Sequence, residues 1–352
     1  MGVTRVAYVY PNSRRDLIAQ WKAGTAPDTH LLGLNHLASF GIEAVPREPA
    51  LDHRGRLLPH RVRWHLREVA LPWELRDVDV VFTPLANVIP LVSSLRGRPR
   101  VLVYNFGLNT ILRRAGRARR SLLAASLRRS AAVICLGPSQ RDELLQLTDI
   151  DPPQVPVAIH GVDHRFFAPP ESPRERLVIA IGRDLARDYA TLTRAASEIE
   201  ARFVFVVLQR NLEGIDLPAN VEVRERIPYF ELRDLYRRAA CAVVALRPSD
   251  YPYGSEGSGV SAMLEAQASA TPLVATDRPI VRDYVRDGET ALIVPPADAD
   301  ALRAAIAGVL DDPAGADALG RAGRQRVEER HTMDDMAAAL APLMKAAAAN
   351  RV

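Results

Sequence analysis

The sequence predicts an α/β protein with two doubly wound parallel sheets, because short apolar runs alternate with longer amphipathic segments along the chain. About a dozen strand-like runs are separated mostly by helix-like segments of about 10–15 residues, a pattern typical of parallel sheets covered by helices. A Pro- and charge-rich segment, 168–176, divides the strands nearly evenly and has the composition of a linker. The length of 352 residues suits two domains, at about 100–200 residues per domain.

In the first half of the chain, the predicted strands are short runs rich in Val, Ile, Tyr and Phe. They span residues 3–10, 42–45, 78–82, 99–104, 131–136 and 155–159. Apolar residues at helical spacing predict connecting helices over 27–40, 110–128 and 138–147. The first of these helices is expected to end at Gly41, since glycine readily takes the left-handed conformation that ends a helix.

The second half of the chain repeats the alternation of strands and helices. Its predicted strands span 176–182, 203–208, 221–224, 241–246, 272–276 and 291–295. Its predicted helices span 188–200, 230–239, 259–269, 279–286, 298–311, 315–330 and 333–349. Together with the linker, these elements predict one domain over 1–165 and a second over 166–332.

Hydrophobic residues make up 48% and charged residues 25% of the chain, a globular composition that excludes disordered, collagen-like and disulfide-scaffold classes. Cys135 and Cys241 lie in apolar strand-like runs, so we expect buried hydrophobes in a reducing compartment rather than a disulfide. The sequence shows no secretory leader, and no apolar run approaches the roughly 18 residues that span a membrane. We therefore expect a soluble, cytoplasmic protein.

Positive charge is concentrated in the first half of the chain. Residues 1–150 carry 22 Lys and Arg against 12 Asp and Glu, whereas residues 151–352 carry 24 against 30. Ten arginines and no acidic residue lie between Val80 and Gln140. One interpretation is a basic face on the helix 110–129 that meets an anionic acceptor or a membrane surface, and the alternative is a solvated arginine-rich face. Nucleic acid is not favoured as a partner, because no zinc-finger spacing or aromatic-interleaved basic run occurs.

The segment Gly257–Ala262 matches the G-x-G-x-x-A dinucleotide fingerprint, and Asp277 follows at the usual distance. The fingerprint requires its first glycine directly after a strand, but ten residues separate Gly257 from the preceding strand 241–246. A nicotinamide or flavin cofactor is therefore not predicted.

The same glycines still open a helix, where unpaired amide groups and the helix dipole favour an anion. A phosphate at the helix start, with a carboxylate further along to accept hydroxyl hydrogen bonds, suits a nucleotide sugar. The donor-binding candidates in this segment are Gly257, Ser258, Gly259, Val260 and Glu265. The alternative is a flexible Gly/Ser loop with two solvated glutamates, Glu256 and Glu265.

A second candidate phosphate site follows the first predicted strand of the second domain. Gly182, Arg183 and Arg187 lie between that strand and the next helix. Two arginines at the carboxyl end of a parallel strand can clamp a diphosphate, because planar guanidinium groups match phosphate oxygens. The alternative is a surface turn in which Asp184 and Asp188 neutralise the arginines beside them.

Two histidines four residues apart, His160 and His164, flank Asp163 and suggest a metal site. Gly161 and the lack of a helical or strand period argue against a preformed site. The sequence contains no His-Glu-x-x-His run, cysteine cluster or nucleophile elbow. We therefore predict neither a metal nor another resident cofactor.

Five segments, taken in order, resemble those of the family 4 retaining glycosyltransferases, which have the GT-B fold of two Rossmann-like domains. They are VPVAIHGVDHRFFAPP (155–170), GRDLARDYATLTRAA (182–196), RIPYFELRDLYRRAACAVVALRPS (226–249), GSGVSAMLEAQASATPLVATD (257–277) and VRDYVRDGETALIVPPADADALRAAI (281–306). The resemblance covers about 155–330 well and the first half only loosely. Each segment is a weak signal alone, whereas their common order and register are specific.

The resemblance implies a metal-independent hexosyltransferase that moves a sugar, with retention of configuration, from a nucleotide-diphosphate sugar to a hydroxyl acceptor. Such reactions build glycans, glycolipids or glycosylated metabolites. The resemblance further implies an acceptor domain over 1–165, a donor domain over 166–332, and a last helix, about 333–352, that packs back on the first domain. UDP is the expected nucleotide, because it is the commonest among similar enzymes.

The resemblance also implies roles for individual residues. Arg183 and Arg187 are expected to bind the diphosphate, and Glu265 the ribose hydroxyls. Ile227 and Tyr229 are expected to frame the base. The leaving phosphate is expected to take the acceptor proton, since the sequence shows no strong general base.

Several positions depart from the family pattern. Glu256 lies one place before the position of the first of the family's two glutamates, and Asn105 stands where a histidine near the donor sugar is frequent. These two residues are the catalytic candidates. Gly24 and Thr25 are candidates for the acceptor-side loop, in place of a glycine-rich loop that the sequence does not show.

These departures leave alternatives open. One is an inverting enzyme of the same fold with Asp28 or His30 as the base, and another is a nucleotide-sugar epimerase that uses carboxylates in the cleft. The third is a catalytically impaired relative that acts as a binding or partner subunit.

Overall fold

The computed structural model describes residues 3–47, 69–71, 73–84, 89–97 and 99–349. None of the helices in these ranges is long and apolar enough to cross a lipid bilayer.

The chain divides into two compact units. The first unit comprises Met1–Ala19, Leu31–Ile159 and Asp334–Val352, and the second comprises Gln20–His30 and His160–Met333. The predicted boundary at residue 165 differs from this division in two places, because residues 20–30 and 160–165 group with the second unit.

The first unit contains five described strands, which form one parallel sheet. The strands are β1 (Thr4–Tyr8), β2 (Ile42–Pro46), β3 (Val80–Thr83), β4 (Arg100–Tyr104) and β5 (Ala132–Ile134), in the order β2-β1-β3-β4-β5. The described α-helices are α1 (Arg15–Lys22), whose last three residues group with the second unit, α2 (Ile89–Arg96), α3 (Leu108–Arg114), α4 (Arg117–Leu127) and α5 (Pro138–Leu147). The core lies between sheet and helices, where Val81, Val103 and Leu127 are fully buried.

The second unit contains six strands, also in one parallel sheet. The strands are β6 (Glu175–Ile181), β7 (Arg202–Val206), β8 (Val221–Arg224), β9 (Ala239–Val244), β10 (Leu273–Thr276) and β11 (Leu292–Val294), in the order β11-β10-β9-β6-β7-β8. The helices are α6 (Tyr189–Ala196), α7 (Tyr229–Arg238), α8 (Val260–Ala268), α9 (Pro279–Tyr284), α10 (Ala299–Asp311) and α11 (Pro313–Arg330).

The strand order of the second sheet reverses between β6 and β9, and the segments that follow these two strands meet at one edge. The amide of Asp188 donates to the carbonyl of Ala245 at 3.0 Å, and the amide of Arg247 donates to that of Ala186 at 2.8 Å. Doubly wound sheets bind ligands outside the carboxyl ends of their strands at such a switch point. The strand order therefore predicts a ligand site at the loops after β6 and β9.

Three local predictions were wrong, and two helices, α1 and α2, were not predicted. The predicted helix 27–40 is two 3₁₀ helices, Thr29–Leu31 and Leu34–Phe40. The predicted helix 110–128 is split into α3 and α4 at Ala115, whose extended conformation ends α3. The predicted strand at 155–159 is reduced to a single bridge between Val157 and Cys135.

The last helix, α12 (Met333–Ala349), groups with the first unit from Asp334 onward. The His36 Nδ1 atom lies 2.6 Å from the Asp334 carboxylate. A Cβ atom added at Gly33 would lie 3.5 Å from Ala337, so the helix backbone approaches the 3₁₀ segment closely. Helix α12 therefore packs against the segment 33–36.

Arg174 joins the C-terminal ends of α7 and α8, the two helices that carry candidate site residues. Its Nη1 atom donates to the carbonyls of Tyr236 at 3.0 Å and Ala239 at 3.0 Å. Its Nη2 atom donates to those of Ser269 at 2.9 Å and Ala270 at 2.8 Å. Burial lowers the pKa of Arg174 to about 10, so the guanidinium is charged at neutral pH and opposes the negative ends of both helix dipoles.

Replacing Arg174 by Met is expected to destabilise the second unit by about 3 kcal/mol, because several buried carbonyls lose their donor at once. Chemical denaturation measures the loss. The matched control is Arg202→Met, which removes a half-exposed arginine paired with Glu222. This control is expected to change the free energy of unfolding by less than about 1 kcal/mol. Equal effects of the two substitutions would contradict the role of Arg174.

Candidate functional site

A pocket of about 590 Å³ lies at the switch point of the second sheet, entirely within the second unit. Nine of the ten predicted donor-binding residues line it: Gly182, Arg183, Arg187, Ile227, Tyr229, Gly257, Ser258, Gly259 and Glu265. The tenth, Val260, is the buried first residue of α8 and does not belong to the lining. The two motifs that the sequence analysis identified separately thus meet in one pocket.

The Arg187 side chain is buried in the pocket wall, with only 4% of its surface exposed. Its Nη2 atom donates to the carbonyl of Ile181. Its Nη1 atom is buried and has no hydrogen-bond acceptor among the described residues. Because a buried, unsatisfied cationic donor is costly, this geometry favours an anion as the missing partner.

Two glycines make room for the Arg187 guanidinium. A Cβ atom at Gly182 would lie 2.3 Å from its Nε atom, and a Cβ atom at Gly259 would lie 3.1 Å from its Nη1 atom. Gly182 follows β6 and Gly259 precedes α8, so the guanidinium lies between the two backbone segments. The glycines of both motifs are therefore required by packing around one side chain.

The aspartates beside the two arginines bond elsewhere. Asp188 caps α6 by accepting from the Thr191 amide at 3.1 Å. Asp184 accepts from the amides of Ala186 at 2.8 Å and Ser255 at 3.1 Å, which ties the loop before α8 to the loop after β6. The alternative of two mutually neutralised Arg–Asp pairs was wrong, because both carboxylates accept hydrogen bonds from backbone amides.

The N-terminus of α8 adds positive potential to the same wall. Gly259 lies at its N-cap with φ of 92°, a left-handed conformation that favours glycine, and no side chain caps the helix. The Ser258 Oγ atom is buried and has no hydrogen-bond partner in the described part of the chain. Uncapped amides, the helix dipole and an unsatisfied hydroxyl together provide donors for phosphate oxygens.

Glu265 supplies the acidic wall of the pocket. Its carboxylate is 4% exposed and accepts a hydrogen bond from the Tyr236 hydroxyl, with 3.0 Å between Oη and Oε2. Burial raises the pKa of Glu265 to about 7, although the Tyr236 hydrogen bond and the Arg187 charge both lower it. The alternative of a solvated glutamate was wrong at this position.

Part of the lining is apolar and aromatic, and we call it the apolar end of the pocket. It is formed by Ile227, Tyr229 and Leu232, from the loop after β8 and from α7. Arg226 also lines the pocket, with φ of 50°, a backbone conformation that L-residues rarely adopt. This end can accommodate a flat ring, with the polar donors and Glu265 along the remaining wall.

His30 lines the pocket as well, and its ring centroid lies 6.1 Å from that of Tyr229. Asp163 holds this segment in place, because it accepts from the Asp28 amide at 3.1 Å and donates its own amide to the Thr29 hydroxyl at 3.0 Å. Burial and the neighbouring Asp28 carboxylate raise the pKa of Asp163. These contacts join residues 134 and 135 positions apart. Local sequence carries no signal for them.

Eight further lining residues were not among the donor-binding predictions. They are His30, Ile181, Asp184, Val206, Arg226, Leu232, Ser261 and Ala262. In the sequence, His30 is a candidate only as the base of an inverting enzyme. Ser261 and Ala262 were within reach of the sequence analysis, because they belong to the first turn of the helix that follows the glycines.

Asn105 does not have the geometry expected of a catalytic residue. Its side chain is fully buried in the first unit, where Oδ1 accepts from the amide of Leu108 at 2.8 Å and Nδ2 donates to Asn109 at 2.9 Å. The Gln140 side chain bonds to its carbonyl at 3.0 Å. Asn105 therefore fixes the start of α3, and this hydrogen-bond set explains its position without a substrate.

Gly24 and Thr25 end helix α1. The Gly24 amide donates to the carbonyl of Trp21 and the Thr25 amide to that of Gln20, each at 2.9 Å. With φ of 73° at Gly24, this is the Schellman arrangement that terminates helices. Both residues are exposed, and neither lines the pocket of the second unit. Their acceptor-side contact stays a prediction.

Glu256 is buried and is not among the residues that line the pocket. It directly precedes the glycine-rich turn, as the sequence shows, but its carboxylate does not form the wall that Glu265 forms. The prediction of a catalytic Glu256 thus receives no support from its position.

The histidine pair suggested as a metal site does not form one. His160 is fully buried, and burial lowers its pKa to about 3. Within the described ranges, no group of three or more His, Cys, Asp or Glu side chains is arranged to hold a metal ion.

The profile of the glycosyl transferases group 1 family matches residues 204–326. This range contains the apolar end of the pocket, the glycine-rich turn and Glu265. The matched range lies within the part of the chain, about 155–330, over which the sequence motifs resemble a glycosyltransferase family.

Two curated relatives illustrate the similarity. The chain is 32% identical over 207 residues to an MMP alpha-(1->4)-mannosyltransferase of Mycolicibacterium hassiacum, covering 54% of this chain and 49% of the relative. It is 28% identical over 218 residues to a D-inositol 3-phosphate glycosyltransferase of Kribbella flavida, covering 53% of this chain and 50% of the relative. These matches span only about half the length of either relative.

Solved structures resemble almost the whole chain. Sucrose-phosphate synthase from Thermosynechococcus elongatus has a TM-score of 0.70 at 19% identity, with coverage of 97% of this chain and 98% of the other. Anabaena HepE in complex with UDP-glucose has a TM-score of 0.70 at 11% identity, with coverage of 97% and 99%. At such identities the likeness shows the fold alone, and the predicted GT-B class is confirmed.

Proposed function

We propose that this chain, whose residues 204–326 belong to the glycosyl transferases group 1 family, is a retaining glycosyltransferase. Its donor is a nucleotide-diphosphate sugar, with UDP as the nucleotide, and its acceptor is a hydroxyl group of a glycan, glycolipid or metabolite. The observation that carries the proposal is the buried Arg187 guanidinium, whose Nη1 atom has no acceptor among the described residues, beside an uncapped helix N-terminus. That arrangement suits the diphosphate of the donor.

The lining of the pocket supports one orientation of the donor. The diphosphate lies against Arg187 and the turn Gly257–Gly259, the ribose hydroxyls against Glu265, and the base between Ile227 and Tyr229. In this orientation the phosphates meet a cation and backbone amides, the ribose meets a carboxylate, and the base meets apolar and aromatic side chains. UDP fits this orientation, as does any other nucleoside diphosphate, so the base is tested by direct comparison.

The proposed reaction exchanges one bond to the anomeric carbon for another. The bond between C1 of the sugar and the β-phosphate oxygen breaks, and its electron pair stays with the departing phosphate. The acceptor oxygen bonds to C1 on the same face, and its proton passes to an oxygen of that phosphate. Arg187 and the α8 amides stabilise the negative charge that develops on the diphosphate, and they are in place before the reaction. This route needs neither a metal nor a resident cofactor.

Two observations favour alternatives that the same experiments separate. His30 lies in the pocket, where an imidazole base would suit an inverting enzyme. Glu256 is buried outside the lining, which suits a relative that binds nucleotide sugars without transferring them. The anomeric configuration of the product distinguishes retention from inversion, and absence of any product despite tight donor binding indicates the non-catalytic relative.

The basic helices of the first unit support a second proposal, a peripheral position at an anionic membrane surface in the cytoplasm. Arg117, Arg119 and Arg129 are exposed on or just after α4, and Leu122 between them is 49% exposed. In contrast, the Arg120 guanidinium donates to the carbonyl of Leu112 at 3.0 Å, so it stabilises the end of α3 instead of facing solvent freely. Exposed arginines around an exposed leucine suit anionic headgroups at the edge of a bilayer.

Calorimetric titration with UDP, GDP, dTDP, ADP and NAD tests the donor class. One nucleoside diphosphate is expected to bind with a dissociation constant of about 1–100 μM, while NAD gives no heat, because the pocket lacks a dinucleotide turn after β9. Binding of NAD, or silence of all nucleotides, would contradict the proposal. Transfer to a panel of hydroxyl acceptors, with the anomeric configuration determined by NMR, then tests retention.

Co-sedimentation with vesicles tests the membrane proposal. Vesicles that contain anionic lipid are expected to bind the protein, and neutral vesicles are not. Replacing Arg117 and Arg119 by Glu should weaken binding at least about tenfold, since each arginine near the surface contributes about 1 kcal/mol. Arg202→Glu with Arg303→Glu, on the second unit, is the matched control. Equal binding to neutral and anionic vesicles, or none, would overturn the proposal.

A further inference from the structure

Tyr236 lies behind the pocket wall and bonds to the carboxylate in front of it. It belongs to α7, is 1% exposed and is not among the lining residues. Its hydroxyl donates to Oε2 of Glu265 at 3.0 Å, and a second acceptor, the Ala262 carbonyl, lies at 3.3 Å. The sequence resemblance assigned no function to this tyrosine.

The Tyr236 ring is held from several sides. Phe167 packs edge-on against it, with ring centroids 5.8 Å apart at an interplanar angle of 89°. The backbone carbonyl of Tyr236 accepts hydrogen bonds from Arg174 at 3.0 Å and from the Thr271 hydroxyl at 2.7 Å. A tyrosine fixed at both backbone and ring gives its hydroxyl a defined position.

We propose that Tyr236 is a positioning residue that holds the Glu265 carboxylate in the orientation that binds the ribose hydroxyls of the nucleotide. Its hydrogen bond commits Oε2, which leaves Oε1 to accept from the ribose. This inference rests on the proposed function, because it requires a nucleotide in the pocket. It gives a function to the hydrogen bond between Glu265 on α8 and Tyr236 on α7.

The charges around Glu265 give the inference a pH signature. Tyr236 faces it from α7 and Arg187 from the loop after β6, and both lower its pKa against the effect of burial. Tyr189, on α6, and Arg187 also act on Tyr236. Since the ionised carboxylate is the better hydroxyl acceptor, nucleotide binding should strengthen as pH rises through about 7, the pKa of Glu265. Without the Tyr236 hydroxyl that pKa rises further, so the increase should move to higher pH.

Titration with UDP, 2′-deoxy-UDP and 3′-deoxy-UDP, or the same series for the base that binds best, tests the inference. The wild type is expected to bind the ribonucleotide at least about tenfold more tightly than the deoxy forms, the scale of a hydrogen bond to a charged group. Tyr236→Phe should lose most of this preference with little change toward the deoxy forms. It should also shift the pH profile of UDP binding upward.

Tyr284→Phe is the matched control. Tyr284 is fully buried, and its hydroxyl accepts from the His160 amide at 2.9 Å, outside the pocket. This variant is expected to keep the wild-type ribose preference and pH profile. Loss of the preference in the control would show that any buried tyrosine hydroxyl matters, and would overturn the specific role of Tyr236.

Tyr236→Phe could fail to fold because Glu265 loses its hydrogen-bond partner. A second pair of variants then tests the inference. Adding Tyr236→Phe to Glu265→Ala removes both partners and should leave UDP affinity as in Glu265→Ala alone, because Tyr236 acts through Glu265. A further loss in the double variant would overturn the inference.

The outcomes separate this inference from the proposed function. If no nucleoside diphosphate binds the wild type, the proposed function fails. If UDP binds but the deoxy forms bind equally well, the diphosphate site stands and the ribose role of Glu265 with Tyr236 fails. If Tyr236→Phe keeps both the ribose preference and the pH profile, only the positioning role fails.

Discussion

The pocket depends on the burial of one guanidinium between two glycine backbones. Arg187 fits only because Gly182 and Gly259 lack side chains, and its Nη1 atom meets no acceptor among the described residues. Burying a cation without a full set of acceptors is costly, so the fold holds this group at the expense of stability. Such a site is preorganised for an anion and needs little rearrangement to bind one.

The surrounding strands and loops hold the Arg187 guanidinium in this position. The reversal of strand order between β6 and β9 brings the two glycine-bearing loops together, and Asp184 ties them through the Ser255 amide at 3.1 Å. Arg174 holds the far ends of α7 and α8, so the apolar end of the pocket and Glu265 keep their spacing. One nucleotide can therefore meet cationic, acidic and apolar walls in sequence along the same pocket.

The sequence predicted the parts of the site that depend on local patterns. An arginine pair after a strand and a glycine-rich helix start are local, so Arg187, Gly257 and Glu265 could be identified together with the fold. The parts that it missed depend on distant partners. His30 reaches the pocket because its segment bonds to Asp163, more than a hundred residues away. Asn105 is a catalytic candidate only through the family resemblance, and its hydrogen bonds to Leu108, Asn109 and Gln140 cannot be read from a one-dimensional pattern.

Titration of Arg187→Met and Arg183→Met with the nucleoside diphosphate that the wild type binds tests the central claim most directly. Arg187→Met is expected to lose about 2–3 kcal/mol of binding free energy, because a buried charge-assisted hydrogen bond disappears. Arg183→Met, in the same loop but exposed, is expected to lose less, because solvent screens its charge. Wild-type affinity in Arg187→Met would contradict the account, since the diphosphate would then bind without the buried guanidinium of the pocket wall.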